Sequence, residues 1–253
     1  MGLDTRSIGI ALMLVLAGAP ADAVVGGREA PESAGSAVMV LSSLGGVCTG
    51  IVIAQDAVLT AGHCVAAGSR KGGAEHRVHF RDEAGQPVLV DLAARAVHPG
   101  YDAGAIAGRR RSIDLALVRT ATPLPGRFRP TALSEAMPRA GEILVLAGYG
   151  VSKPGEARTT GTFRNAVLPV VEPYGQSRIL VWMKPSGAAS GACQGDSGGP
   201  IAAEAGAAPL AVSAWVGGGA CGGVSQGVLL GPQRDWIDRT LAGWGASARW
   251  QTP

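Results

Sequence analysis

Aromatic side chains are scarce in this chain, 4% of 253 residues, although 47% of the residues are hydrophobic and 39 are glycine. A core with so few rings must be assembled from Ala, Val and Leu between many tight turns. Long apolar runs are also missing. The stretch Ile8 to Ala17 is about half the ~20 residues needed to cross a bilayer, which argues against a membrane anchor. Charge of one sign is lacking too: 22 Lys and Arg stand against 19 Asp and Glu, and outside Arg109-Arg110-Arg111 the basic residues are scattered. No nucleic-acid partner is therefore expected. The chain has no Cys-x-x-Cys pair, no histidine cluster at ligand spacing and no acidic calcium loop between Ala66 and Asp91. Neither a metal nor another cofactor is expected, and His76, His79 and His98 read as surface or loop residues.

The beginning of the chain reads as a targeting segment. Arg6 supplies a weak positive region, the apolar stretch follows, and Ala21-Asp22-Ala23 fits the small-x-small pattern of a cleavage site, so residues 1–23 are expected to be removed before Val24. The exported protein would be free of the membrane. An oxidising destination turns four cysteines into two expected disulfides, with three pairings open.

After residue 24, short apolar runs alternate with Gly, Pro and Asp, the pattern of an all-β chain. The clearest runs are Val38–Leu41, Gly50–Ile53, Val58–Thr60, Val88–Val90, Ile143–Leu146, Val167–Val171, Ile179–Trp182 and Leu210–Trp215. One helix is expected over Gln233–Leu241, with Trp236, Ile237 and Leu241 at helical spacing. Thr122 to Gly126 and Ser134 to Gly141 interrupt the strands, which puts a domain boundary near residue 135 and divides the mature chain into 24–135 and 136–253. Ala242 to Pro253 lacks a pattern and is expected to be a loosely held tail.

A serine hydroxyl attacks a carbonyl only when a base takes its proton, and an imidazole serves best when a carboxylate fixes its tautomer. His63 in Thr60-Ala61-Gly62-His63-Cys64, Asp114 in Asp114-Leu115-Ala116-Leu117-Val118 and Ser197 in Gly195-Asp196-Ser197-Gly198-Gly199-Pro200 are the three candidates. With Val24-Val25-Gly26-Gly27, Val97 to Tyr101, Gly148-Tyr149-Gly150 and the Trp236-Ile237 helix in the same order, the chain resembles the trypsin- and chymotrypsin-like serine proteases from Val24 to about Leu241. The resemblance implies two packed six-stranded antiparallel β-barrels with a C-terminal helix, and a cleft between them. It assigns His63 as base, Asp114 as its orienting partner and Ser197 as nucleophile, with the Gly195 and Ser197 N–H groups as the oxyanion hole. Losing one such donor costs about 3–4 kcal/mol in related hydrolases.

The same resemblance pairs Cys48 with Cys64 and Cys193 with Cys221. It further implies that a free Val24 amine pairs with the Asp196 carboxylate, so removal of the leader by itself would generate the active form. In the specificity pocket it points to Gly191 and Ala192 at the base and to Trp215, Val216 and Gly227 along the walls. Without an acidic residue there, cleavage after Lys or Arg is not expected, and small or medium apolar residues are favoured over a wider, aromatic-accepting pocket. One departure is Ser213-Ala214-Trp215, since relatives place a serine directly before this tryptophan to support the catalytic Asp. Either Ala214 replaces it or a bulge brings Ser213 into place. Protein or peptide substrates are implied, a protein inhibitor is a conceivable partner, and a monomer is expected. The alternatives are a catalytically silent binding module and an esterase using the same three residues.

Overall fold

The computed structural model describes residues 24–66, 74–105, 107–108, 110–217 and 220–252; the expected leader lies outside the described residues. The strands are β1 (Arg28–Glu29), β2 (Ala37–Ser42), β3 (Val47–Ala54), β4 (Ala57–Thr60), β5 (His76–Arg81), β6 (Pro87–Val97), β7 (Ala116–Thr120), β8 (Leu133–Ser134), β9 (Ile143–Gly148), β10 (Arg164–Val171), β11 (Leu180–Met183), β12 (Pro200–Ala202), β13 (Ala211–Val216), β14 (Ser225–Leu229) and β15 (Trp250–Gln251). A single helical turn, α1 (Gly62–Val65), follows β4, and the helix α2 (Arg234–Gly243) follows β14. Strands β2-β3-β4-β7-β6-β5 close into one antiparallel barrel. Strands β10-β11-β14-β13-β12-β9 close into the second through the β9–β10 pairing, and β1 adds to the outer side of β10.

Strand alternation explains why both faces of the first barrel are apolar. Val52, Val58 and Val118 lie opposite one another and fill the barrel with Val38, Val40 and Val78. One residue out of phase, Ile51, Leu59 and Leu117 form a second row that faces outward. That row is also fully buried, against Val212 and Leu230 of the second barrel and Ile237 and Leu241 of α2. Each such aliphatic side chain removed from water contributes about 1.5–3 kcal/mol. The second barrel is filled by Leu144, Leu146, Leu168, Val181, Met183, Ile201 and Leu229.

The expected helix appears displaced by one residue at its start. The loosely held tail does not appear. Trp244, Ala246, Ala248 and Trp250 pack on the inter-barrel core, β15 pairs in parallel with β8, and the Trp250 indole N–H donates to Asp238 at 2.8 Å.

Candidate active site

His63 stands on α1 directly after β4, and Asp114 directly precedes β7, the strand paired with β4. The pairing brings their backbones together across a sequence gap of 51 residues. Asp114 Oδ1 accepts the His63 backbone N–H at 2.8 Å, and Oδ2 lies 2.7 Å from Nδ1. A carboxylate at Nδ1 holds the proton there and leaves Nε2 as a base. Gly62 permits the approach, because a Cβ on it would stand 3.0 Å from Asp114 Oδ1. Tyr101 covers the pair, and burial together with the Asp114 and Asp102 charges raises its phenol pKa.

Ser197 opens into the same cleft as His63 and Asp114, a space of about 1170 Å³. Its Oγ does not hydrogen-bond to His63 in this arrangement; Nε2 instead lies 3.7 Å from Cys64 Sγ. Such bonds are often long before substrate binds. The loop around Ser197 is held from the first barrel by Thr49, a buried residue that motif reading passed over. Its hydroxyl donates to Gly195 O at 2.8 Å and its N–H to Ser197 O at 2.8 Å. Both loop carbonyls are thus engaged inward, and the Gly195 and Ser197 N–H groups have no partner among the described residues. Gly195 has φ +97°, a conformation in which a side chain is strained.

Asp196 is fully buried. Its Oδ1 accepts the Gly150 N–H at 2.8 Å and its Oδ2 the Cys193 N–H at 2.9 Å. Burial pushes its carboxyl up to about 7, opposed by those two N–H groups and by the charge of Arg164. Val24 is also buried, but its nitrogen belongs to a peptide bond in the uncut chain, and Asp196 is held by loop N–H groups instead. Disulfides join Cys48 to Cys64 beneath His63 and Cys193 to Cys221 beside the pocket. Cys48, Cys64 and His63 cluster closely, but both sulfurs are spent in that disulfide and offer no thiolate to a metal.

The trypsin family model matches residues 24–237. The chain belongs to the trypsin family. Among its relatives, cathepsin G of Mus musculus is 29% identical over 202 residues, covering 74% of this chain and 75% of that protein. Kallikrein-15 of Saguinus oedipus is 27% identical over 203 residues, covering 72% and 69%. The solved structure of neuropsin, a serine protease expressed in the limbic system of mouse brain, superimposes with a TM-score of 0.69 at 20% identity, over 86% of this chain and 99% of that one.

Within this trypsin-family cleft the expected pocket residues separate. Ala192, Trp215 and Val216 line it. Gly191 is not among the residues bordering it, and Ser225 Oγ lies 2.7 Å from the place its Cβ would take. A Cβ on Gly227 would point at Ile201 and Val181 in the barrel interior, and its neighbour Gln226 on β14 borders the cleft. Gln226 lies opposite both Trp182 and Trp215, a placement that the register between strands decides. A register shift between Ser213 and Trp215 makes Ala214 the extra residue of a bulge. Among the described residues, His63 alone bonds to the Asp114 carboxylate, so neither Ser213 nor Ala214 supplies the hydroxyl that relatives use. In the basic run, Arg110 is paired with Asp102 at 2.8 Å and Arg111 borders the cleft; Arg109 lies outside the described residues. His98 packs edge-on against Trp236 with centroids 4.8 Å apart, and burial lowers its pKa.

Proposed function

We propose that the protein is an exported serine endopeptidase that cleaves peptide bonds after small or medium apolar residues. One observation carries the reading: His63, oriented by Asp114 at 2.7 Å, shares a cleft with Ser197, whose backbone N–H and that of nearby Gly195 are unengaged among the described residues. Ser197 attacks the scissile carbonyl while His63 Nε2 takes the hydroxyl proton. The oxyanion lies against the Gly195 and Ser197 N–H groups. His63 then protonates the leaving amine, and water, activated by the same imidazole, releases the acyl group. The apolar Ala192 and Val216 support the substrate preference, and no carboxylate borders that end of the cleft among the described residues.

Removal of residues 1–23 would free the Val24 amine to pair with Asp196. Val24 favours this step because its φ of +50° is strained for a β-branched residue, and the strain vanishes when the preceding peptide bond is cut. Val25 already forms a β-bridge with Gly191, which directly precedes the cleft residue Ala192.

Fluorophosphonate labelling mapped to Ser197 tests the nucleophile, and absence of label favours a silent binding module. Casein hydrolysis distinguishes a protease from an esterase. Ser197→Ala is expected to lower turnover by about a millionfold. A peptide panel varying the residue before the cut checks the preference, and fastest cleavage after Arg refutes it. N-terminal sequencing of exported protein should begin at Val24.

A further inference from the structure

Arg164, the first residue of β10, is 5% exposed. One terminal nitrogen donates to Glu29 Oε1 at 3.0 Å and the other reaches Thr159 O at 3.5 Å, while its buried Nε has no partner. A buried guanidinium left partly unpaired is expensive unless another negative group faces it. The register supplies one. Arg164 stands directly opposite Glu29 on β1 and Gly148 on β9, and residues directly opposite in antiparallel strands share a face. On that face Gly148 has no side chain, and a Cβ there would lie 2.4 Å from Asp196 Oδ1. The Asp196 carboxylate therefore lies on the same face as Arg164 without bonding to it, giving a row of Glu29, Arg164 and Asp196.

We propose that Arg164 is a positioning residue of the oxyanion loop, its buried positive charge favouring the ionised form of Asp196 that accepts both the Gly150 and the Cys193 N–H. The proposal rests on the protease reading for its catalytic meaning. Each Asp196 oxygen accepts one backbone N–H, and a protonated carboxyl would turn one acceptor into a donor. Burial favours that protonated form, and Arg164 opposes it. From the Gly150 turn and from Cys193, Asp196 faces N–H groups; from β10 it faces Arg164, behind which stands Glu29. The Val24 nitrogen adds a charge only after the leader is cut. Glu29 is 55% exposed, so water screens its hold on Arg164 and leaves the guanidinium field directed at Asp196.

The test is titration of the Asp196 carboxyl by carbon NMR in purified protein, alongside the pH profile of fluorophosphonate labelling. Arg164→Met should raise the Asp196 midpoint by ~1 pH unit, a tenfold change in proton affinity, and move the acid limb of labelling in parallel. Arg164→Lys should restore both. Glu29→Gln, at a half-exposed site that tolerates change, should lower the midpoint by a few tenths of a pH unit, the opposite sign. An unchanged midpoint in folded Arg164→Met overturns the proposal. If that variant does not fold, failure of Glu29→Gln to lower the midpoint overturns it instead. A shifted midpoint with a fixed acid limb overturns the positioning role. Absence of labelling in the wild type defeats the protease reading alone, since the Asp196 titration still judges Arg164.

Discussion

At the scale of single residues, the chemistry depends on partners far away in sequence. Thr49 anchors two carbonyls of the nucleophile loop from the opposite barrel. Thr49→Val keeps the shape and removes the hydroxyl bond to Gly195 O together with the acceptor for the Tyr149 N–H, so kcat should fall at least about tenfold with KM little changed, each lost hydrogen bond costing ~1–1.5 kcal/mol. Steady-state kinetics on a peptide substrate check this. Gly191→Asp, the change that would introduce a carboxylate for Lys or Arg substrates, should fail by itself. Its Cβ would meet Ser225 Oγ at 2.7 Å, and φ at this position is +141°. Adding Ser225→Gly should relieve the contact but not the backbone strain, so folded protein should be recovered only in part, with slow cleavage after Arg measured on the same panel. The three candidate reactive residues were legible because their neighbours form dense local motifs. Thr49, Ser225 and Gln226 were not, because each matters through a residue on another strand.

At the scale of elements, strand positions followed from β-branched runs between turn residues, since alternation is a local property. The bulge at Ala214 and the consequent outward face of Gln226 are properties of a pair of strands, and register decides them. The C-terminal segment gives the same lesson. Its residues looked patternless because Trp244 and Trp250 pack into a groove contributed by α2 and β8. Truncation after Gly243 should therefore lower stability by about 2–4 kcal/mol, read as a lower denaturant midpoint, while fluorophosphonate labelling of the remaining folded protein persists.

At the scale of the whole molecule, the buried Asp196 links folding to pH. In the uncut chain its carboxyl stands at about 7, above the ordinary 3.8. The folded state thus holds this proton more tightly than the unfolded state, so the contribution is fully present below the unfolded value and is lost as pH rises through about 7. The Tm of the uncut chain should fall between roughly pH 5 and 7. A chain beginning at Val24 should instead stay level there, because the ammonium stabilises the carboxylate, and lose stability in alkali as pH passes the amine's raised pKa, above ~8. Calorimetry of both forms across pH checks the reversal. By itself the sequence determined the all-β class and the terminal helix and singled out His63, Asp114 and Ser197 as candidate reactive residues, because periodicity and short motifs are carried by neighbouring residues. Only the tertiary structure decided which side chains face the cleft, how Thr49 holds the loop around Ser197 and how Arg164 and Asp196 come to share one face, because register and burial arise between strands distant in the chain.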